Sequence, residues 1–257
     1  MPAKDALTRF STRVEDYIRY RPGYPPEVLE SLTSEFGLRP THVVADIGSG
    51  TGISAAMFLL NGNTVYGVEP NADMRAAAEK LLADYPAFHS VTARAAATTL
   101  LDACVDWVVA AQAFHWFDVD AARREFRRIL RPGGRTVLMW NNRRPDTPFM
   151  REYEDFIHRF ALDYNQINHE NAETDGRIAR FFGAGGFERR SFPNAQVFDF
   201  DGLRGRVLSS SYMPAAGHPS FEAMIPELRR LFDRHADGGR VQFDYDTKLW
   251  VGTSSPS

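Results

Sequence analysis

The amino-acid sequence predicts an α/β protein with an open, doubly wound, Rossmann-like sheet that is mostly parallel. Apolar runs of strand length alternate with helical segments between His42 and Trp140, and this alternation requires crossover connections between parallel strands. A glycine cluster follows the first apolar run, as expected for a ligand-binding turn between a strand and a helix. Beyond Asn141 the pattern changes, which predicts an antiparallel C-terminal edge strand and a helical cover.

Two helices come first along the chain. A capping box at Thr12 predicts a helix that ends before Pro22, and Pro26 then starts a second helix that ends near Gly37. Buried strands and helices then alternate, and the helices begin after Gly52, Asn71 and Asp118. We predict the strands at residues 42–47, 64–68, 90–94, 106–111 and 135–140.

The C-terminal part combines helices with two consecutive strands, which favours an antiparallel edge because no simple crossover joins them. The helices would then cover the carboxyl ends of the parallel strands, where open α/β sheets bind ligands. We predict helices at 148–162, 170–182 and 220–235 and strands at 196–200 and 241–251. We expect a single domain over 1–257, with N-terminal helices at 1–40, a ligand-binding core at 41–140 and a substrate cover with the last strands at 141–257.

The composition narrows the functional classes. Lys+Arg 30 against Asp+Glu 33 leaves a net charge of −3, so the chain offers no excess positive charge to a nucleic acid. The single cysteine, Cys104, excludes an internal disulfide and a multi-cysteine metal site, and it suits a reducing compartment. Residues 1–10 lack the apolar core of an export signal, and no apolar stretch is long enough to span a bilayer. We expect a cytoplasmic protein, monomeric or homodimeric, that binds no metal, nucleic acid or membrane.

The glycine cluster is the strongest functional motif. It reads D-I-G-S-G-T-G from Asp46 to Gly52, and glycines let a backbone turn sharply and approach a ligand closely. The next helix directs its first N–H groups at the same place, which suits an anion or a carboxylate. The glycines occupy every second position, unlike the G-x-G-x-x-G of pyrophosphate-binding turns. Glu69 closes the next strand, where a carboxylate can accept hydrogen bonds from both hydroxyls of a ribose.

Four segments carry a resemblance to a known family. They read Y-I-R-Y-R-P-G-Y-P at 17–25, V-V-A-D-I-G-S-G-T-G at 43–52, Y-G-V-E-P-N-A-D-M at 66–74, and V-D-W-V-V-A-A-Q-A-F-H-W-F at 105–117 with L-R-P-G-G at 130–134. Together they resemble class I S-adenosylmethionine-dependent methyltransferases, in particular the small-molecule, trans-aconitate methyltransferase-like group. The rest of the chain is similar to the family only loosely. The resemblance implies S-adenosylmethionine as the cofactor and S-adenosylhomocysteine as its product.

The resemblance also implies which residues bind this cofactor. Tyr17 and Arg21 would reach over it toward its methionine carboxylate, which a guanidinium can bind by paired hydrogen bonds. An arginine at a helix end can instead bind the last carbonyls of its own helix. Glu69 would bind the ribose hydroxyls. The other expected cofactor residues are Asp46, Gly48, Ser49, Gly50, Thr51, Gly52, Pro70, Asn71, Met74, Ala95, Ala96, Ala111 and Gln112.

One loop departs from the family pattern. After the third strand the family usually carries an acidic or amide residue that accepts a hydrogen bond from the adenine amine, whereas this chain reads R-A-A-A-T from Arg94 to Thr98. Backbone groups near Ala95 and Ala96 would then have to bind the adenine, or the affinity for the cofactor would be lower than is usual in the family.

The segment A-Q-A-F-H-W-F, 111–117, follows the fourth strand where the family places its catalytic edge. It lacks the Asn-Pro-Pro-Tyr motif with which DNA methyltransferases bind a flipped base. His115 is the acid–base candidate, and a hydrogen-bonded structural role is as consistent with its position. Phe114 and Trp116 can exclude water and attract a sulfonium through their π faces, or can serve as core. We assign His115 and Trp116 as the catalytic candidates.

Residues near the expected cover are the candidates for substrate contacts, although packing roles explain each of them equally well. They are Trp140, Asn141, Arg143, Tyr212, Met213 and His218.

The predicted function is methyl transfer from S-adenosylmethionine to a small molecule, with oxygen of a carboxylate or hydroxyl as the acceptor that the resemblance favours. Two alternatives stay open. One is a non-catalytic protein that binds the cofactor as a sensor or partner, which the missing acidic residue near Ala95 allows. The other is a nicotinamide-dependent oxidoreductase, which the glycine spacing disfavours.

Overall fold

A computed structural model describes residues 19–162 and 176–253 of the chain. Its sheet has seven strands in the order β3-β2-β1-β4-β5-β7-β6. The first five strands are parallel, and β7 runs antiparallel to both of its neighbours. The strands are β1 Val43–Ile47, β2 Thr64–Val68, β3 Phe88–Val91, β4 Val105–Ala111, β5 Leu130–Arg143, β6 Glu188–Phe198 and β7 Val241–Thr253. The predicted Rossmann-like sheet with an antiparallel C-terminal edge is therefore confirmed.

Helices connect the strands and cover the sheet. Asn71 and Asp118 start two of them as predicted, because each side-chain oxygen accepts a hydrogen bond from a backbone N–H of the first turn. No described helix is long and apolar enough to cross a membrane. The α-helices are α1 Pro26–Ser34, α2 Ile53–Leu60, α3 Ala72–Leu81, α4 Val119–Ile129, α5 Pro148–Phe160, α6 Arg177–Phe182, α7 Phe200–Leu208 and α8 Phe221–His235, and the 3₁₀ turns are Phe114–Trp116 and Gly183–Gly185.

The apolar core divides into three clusters around the sheet. Two of them pack on opposite faces of the central parallel strands, which is why β1 and β4 are almost continuously apolar. The third cluster lies under the C-terminal cover and joins α5, α7 and α8 to the first half of β7. Its fully buried centre includes Tyr153, Phe243 and Tyr245. The cover is therefore packed on the end of the sheet by aromatic side chains.

Several predicted boundaries are wrong. β3 occupies 88–91 rather than 90–94. Strand β5 begins at Leu130, because the chain continues through Gly133 as an irregular stretch that shifts its register relative to β4. The strand extends to Arg143, because β7 pairs with it up to that residue. β6 begins at Glu188 rather than at 196. The predicted first helix lies almost entirely outside the described residues, as does the first part of the helix predicted at 170–182.

Helix α7 is absent from the prediction. Gly202 and Gly205 lower the helix propensity of this segment, so its helical pattern is weak. The structure explains both the helix and one glycine: Asp199 accepts a hydrogen bond from the N–H of Gly202, and a side chain at Gly205 would collide with the ring of Tyr20. The signal that could have revealed α7 is the capping aspartate.

Candidate active site

The glycine turn joins the end of β1 to α2. Gly48, Gly50 and Gly52 all have left-handed backbone angles, with φ of 72°, 56° and 86°. A Cβ atom at Gly48 would lie 2.6 Å from the Cβ atom of Ala113, so the turn is in direct contact with the loop that follows β4. The backbone angles thus favour glycine at all three positions, and at Gly48 the close contact with Ala113 also leaves no space for a side chain.

Glu69 is bound to this turn. One of its carboxylate oxygens accepts a hydrogen bond from the N–H of Gly50 at 3.1 Å, and the other accepts from the N–H of Asn71 at 2.8 Å. Burial raises the pKa of Glu69, and the two backbone hydrogen bonds oppose that rise. The carboxylate therefore sits at a fixed place beside the turn, and each oxygen retains acceptor capacity for a hydroxyl.

Asp46 lies beneath the turn and is fully buried. Its Oδ2 atom accepts a hydrogen bond of 2.6 Å from the Ser54 hydroxyl, and its Oδ1 atom has no hydrogen-bond partner among the described residues. Burial, and to a smaller degree the charge of Glu69, raise the pKa of Asp46 to about 7. Gly52 at the start of α2 has no side chain to cap the helix, and Asp46 holds the first turn of α2 through the Ser54 hydroxyl. The structure places this predicted cofactor residue behind the turn.

The other residues of the turn are buried or half-buried. The N–H groups of Gly48 and Ser49 donate to the carbonyl of Val68, at 2.8 and 3.3 Å. Thr51 is 1% exposed, and its hydroxyl oxygen has no hydrogen-bond partner within residues 19–162 and 176–253. A buried polar atom without a partner is unusual in a folded protein. It fits a turn that binds a polar ligand.

The predicted adenine side is built on the start of α3. The Asn71 side chain accepts a hydrogen bond from the N–H of Met74 at 3.0 Å, and Pro70 precedes it at the surface of the turn. A Cβ atom at Gly50 would lie 3.3 Å from Cε of Met74. The buried thioether of Met74 therefore packs directly on the glycine turn, where it forms an apolar surface next to Glu69.

The alanine-rich loop after β3 has a fixed shape. Arg94 and Ala97 form an isolated backbone bridge around the half-buried Ala95 and the exposed Ala96. The N–H and the hydroxyl of Thr98 both donate to the same carboxylate oxygen of Glu125, at 2.7 and 2.6 Å. A buried carboxylate on α4 thus anchors this loop. Sequence reasoning missed Glu125, because nothing in its helical pattern reveals a partner 27 residues away.

The end of β4 is held to β5. The N–H of Gln112 donates to the carbonyl of Met139 at 2.8 Å, and its side-chain amide lies 3.5 Å from the carbonyl of Asn141. Gln112 has a left-handed φ of 57°, which is uncommon for a residue with a side chain. Its neighbour Ala111 pairs with Met139 of β5, and Ala113 on its other side contacts the glycine turn. Such strain is typical of functional loops.

His115 and Trp116 stand in the 3₁₀ turn that follows. Their rings are 4.9 Å apart, and both are partly buried. Burial, with smaller contributions from the positive charges of Arg177 and Arg21, lowers the pKa of His115 to about 3. His115 is therefore neutral at physiological pH and a weak base. Phe114 is fully buried among core aromatics such as Phe181, so it is a packing residue.

Arg21 lies at the same end of the sheet as His115, whereas Tyr17 lies outside the described residues. The guanidinium of Arg21 donates a hydrogen bond of 2.9 Å to the carbonyl of Ser209, just after α7. Its charge acts on the pKa of both His115 and Tyr212. Arg21 thus links the N-terminal segment to the cover.

A polar cluster lies at the carboxyl end of β5, under the cover. Arg143 donates to the Tyr212 hydroxyl at 3.1 Å and pairs with Glu154 at 3.0 Å. Burial raises the pKa of Tyr212, but the charges of Arg143, Arg206 and Arg21 outweigh burial and lower it to about 8. Sequence analysis found Arg143 and Tyr212 but missed Arg206, because it belongs to the unpredicted helix α7.

The remaining substrate candidates have packing roles. Trp140 and Met213 are core residues, exposed by 2% and 0%. Asn141 is buried and binds the carbonyl of Gly23, which ties the segment before α1 to β5. His218 accepts a hydrogen bond from the N–H of Ser220, next to the start of α8. The described residues contain no group of three or more potential metal ligands.

Comparisons with known proteins indicate a methyltransferase. Residues 45–138 match a family model described as a methyltransferase domain. The chain is 25% identical to a methyltransferase-like protein of Schizosaccharomyces pombe, over 98% of this chain and 97% of that relative. It is 36% identical to an uncharacterized methyltransferase of Mycobacterium bovis over 61% of each chain.

Two solved structures share the fold. A protein from Anaeromyxobacter dehalogenans, named as a type II methyltransferase, superposes with a TM-score of 0.70 at 23% identity, over 93% of this chain and 100% of that one. A protein from Anabaena variabilis, named as a methyltransferase of an antibiotic biosynthesis pathway, gives a TM-score of 0.60 at 19% identity over 91% and 98%.

Proposed function

We propose that this chain is a class I S-adenosylmethionine-dependent methyltransferase and that it transfers the methyl group to an oxygen atom of a small molecule; the matched methyltransferase domain and the methyltransferase-named relatives support this proposal. The observation that carries the proposal is the contact between Gly48 and Ala113. Through this contact the glycine turn lies against the loop of His115 and Trp116, which supports the proposal. A cofactor held by the turn would therefore present its reactive end to this loop and to the cover beyond it.

The residues of the turn fit the cofactor. Glu69 has acceptor capacity for the ribose hydroxyls, the unpartnered hydroxyl of Thr51 lies within the turn, and Met74 provides an apolar surface for adenine. Arg21 would bind the methionine carboxylate. When bound, S-adenosylmethionine supplies an electrophilic methyl group on a sulfonium. The protein's contribution to such a displacement is alignment in a site that excludes water.

The acid–base character of His115 bears on the acceptor. An imidazole with a pKa of about 3 cannot take a proton efficiently from an alcohol at neutral pH. Its neutral ring can still donate or accept a hydrogen bond and so orient an acceptor. A carboxylate needs no base because it is already ionised at neutral pH. We therefore favour a carboxylate over a hydroxyl, with His115 as an orienting group and Trp116 as an aromatic wall.

We further propose a cytoplasmic protein, monomeric or homodimeric, that acts on a small molecule rather than on nucleic acid, which the net charge of −3 supports.

A thermal-unfolding series with S-adenosylmethionine, S-adenosylhomocysteine and NADH tests the proposal first. A ligand at about 100 times its Kd adds roughly 2.7 kcal/mol to the free energy of unfolding. We expect both adenosyl ligands to raise Tm and NADH to leave it unchanged. Transfer of a radiolabelled methyl group to a panel of small acids and phenols then tests catalysis. A shift without transfer to any acceptor would favour a cofactor-binding sensor, and a shift with NADH alone would overturn the proposal.

A further inference from the structure

Arg206 is a buried cation without a carboxylate partner in the described structure. The residue is 3% exposed, although a guanidinium stays charged in proteins. Its Nε atom donates to the Tyr245 hydroxyl at 3.2 Å, and Nη1 donates to the Ser210 hydroxyl at 3.0 Å. Nη2 donates to no residue within 19–162 and 176–253. Buried charges are normally paired, because desolvation of a charge without a partner is costly.

A second orphan group lies in the same place. Tyr153 is fully buried, and its hydroxyl has no hydrogen-bond partner among the residues that the structure describes. The charges of Arg206 and Arg143 both act on this hydroxyl. The ring of Tyr153 packs edge-on against Phe243 at 4.6 Å, and the Arg206 guanidinium lies over the same Phe243 ring at 5.7 Å. The cation and the orphan hydroxyl therefore share one aromatic neighbour.

Neighbouring charges make this place electropositive. Arg143 lies over the Tyr153 ring at 5.9 Å, and its charge is offset by Glu154. The Tyr212 hydroxyl accepts from Arg143, and the charge of Arg206 also reaches it. Arg206 itself has tyrosines rather than acids around it. The positive charge of Arg206 thus has no opposite charge beside it among the described residues.

The cluster belongs to the substrate end of the active site. Arg143 closes β5 and pairs in register with Tyr245 of β7, so the cluster lies at the edge of the sheet that carries the glycine turn. Arg21 connects the two, since its charge acts on both His115 and Tyr212. The cofactor turn over β1 and β4 and the arginine cluster over β5 and β7 are thus neighbouring sites.

We propose that Arg206 and Tyr153 form an anion-binding site that recognises an anionic oxygen group, a carboxylate or a phosphate ester, on the small-molecule acceptor. Nη2 of Arg206 and the hydroxyl of Tyr153 would donate to the anion, while Phe243 contacts the apolar part of the ligand. Arg206 and Tyr153 then determine specificity, since an uncharged acceptor would leave the guanidinium unpaired. The inference rests on the proposed function, because it assigns the cluster to the acceptor of the methyl group.

Calorimetric titration of the protein saturated with S-adenosylhomocysteine tests the site. The probes are benzoate, phenyl phosphate and, as a neutral match for benzoate, benzamide. We expect benzoate or phenyl phosphate to bind and benzamide not to bind. The relative affinities of the two anions then show whether the site prefers a carboxylate or a phosphate ester. Tyr153→Phe removes only the orphan hydroxyl and leaves a core of the same shape, so it should fold normally and weaken anion binding by about tenfold or more. Arg206→Met should abolish it.

The controls separate two kinds of failure. Asp155→Asn removes a charge from the surface side of α5 and should change nothing. If the unaltered protein does not bind S-adenosylhomocysteine, the proposed function is overturned. Intact binding of that ligand, with no anion bound or with equal anion affinity in Tyr153→Phe and the parent, would overturn the anion site alone. If Arg206→Met does not fold, Arg206→Lys replaces it, and its expected loss of affinity is smaller because it keeps the charge.

Discussion

At the scale of single residues, the proposed site depends on left-handed backbone positions that favour glycine and on buried carboxylates next to them. Gly48 combines a left-handed φ with contact to Ala113, so it is the point where the glycine turn, the proposed cofactor site, touches the proposed catalytic loop. Asp46 and Glu69 hold the turn from below and from the side. Each of these groups can be tested by a substitution whose effect differs from that of a matched control.

Gly48→Ala should lower affinity for S-adenosylhomocysteine at least about tenfold. A left-handed alanine alone costs roughly 1 kcal/mol. The added methyl group also forces the turn away from Ala113, so the total cost of the substitution is higher. Gly133→Ala is the control, because Gly133 has a similar φ of 80° with nothing within 4 Å of the added atom. Isothermal titration should show that Gly133→Ala loses stability only. Equal affinities of the two variants would contradict the assignment of the turn.

Asp46 should make stability fall as pH rises. An aspartate in the unfolded chain has a pKa of about 3.9, whereas the native pKa is about 7. Between these values the native state binds the proton that the unfolded state has lost, so the free energy of unfolding decreases by up to about 1.4 kcal/mol per pH unit.

Asp46→Asn keeps an acceptor for Ser54 and removes this titration. Urea unfolding at pH 5 and pH 7.5 should therefore show a smaller pH effect in Asp46→Asn than in the parent. The exposed Asp73→Asn is the control and should behave like the parent. The same pH effect in Asp46→Asn as in the parent would show that Asp46 is ionised in the native state.

At the scale of elements, the alanine-rich loop depends on a helix that packs against it. Glu125 on α4 binds Thr98 and also Arg128, which in turn binds Asp102. The hydrogen bonds from Arg128 lower the pKa of Glu125 to about 2 and keep it ionised. The acidic or amide residue that the resemblance leads us to expect beside adenine is missing from this loop. The backbone of the loop is nevertheless held by α4.

Glu125→Ala should therefore weaken binding of S-adenosylhomocysteine, because the loop of Ala95 and Ala96 loses its anchor. Asp102→Ala is a matched control: it removes the other partner of Arg128 and leaves Thr98 bound. Titration calorimetry should show a loss of about fivefold or more for Glu125→Ala and none for Asp102→Ala. If neither variant changes the affinity, the loop does not contribute to the cofactor site.

The elements differ in how well the sequence predicts them. The parallel strands and their helices are predictable because the apolar residues of each element recur at one regular spacing. Each element is also bounded by glycine or a capping residue, as at Asn71 and Asp118. The glycine turn and Glu69 are predictable because their spacing is local. Arg206 and Tyr153 are not, since their proximity depends on how α7, α5 and β7 pack, and the glycines of α7 conceal the helix. The pKa of His115 also depends on distant arginines.

At the scale of the whole molecule, β7 joins the two halves of the chain. Its second half, with Leu249 and Val251, packs into the core of the parallel sheet, and its first half, with Phe243 and Tyr245, packs into the core of the cover. It pairs with β5 on one side and with β6 on the other. We propose on this basis that the predicted single domain unfolds as one unit.

Differential scanning calorimetry should then show one transition whose calorimetric and van't Hoff enthalpies agree. S-adenosylhomocysteine should move the whole transition to higher temperature rather than split it, because stabilisation of the turn is shared with the cover through β7. Two separate transitions, only one of them sensitive to this ligand, would show that the cover is an independent domain.

The position of β7 also affects how the protein is synthesised. Strand β5 ends at Arg143, and its pairing partner Tyr245 emerges from the ribosome about a hundred residues later. Until then β5 pairs with β4 alone and is therefore an edge strand. Strand β6 likewise has no neighbour on the side that β7 will occupy. Exposed edges promote aggregation, and a contact of long sequence separation slows folding. Completion of the sheet therefore waits until β7 has been synthesised, and a nascent chain that stalls before Val241 should depend on chaperones.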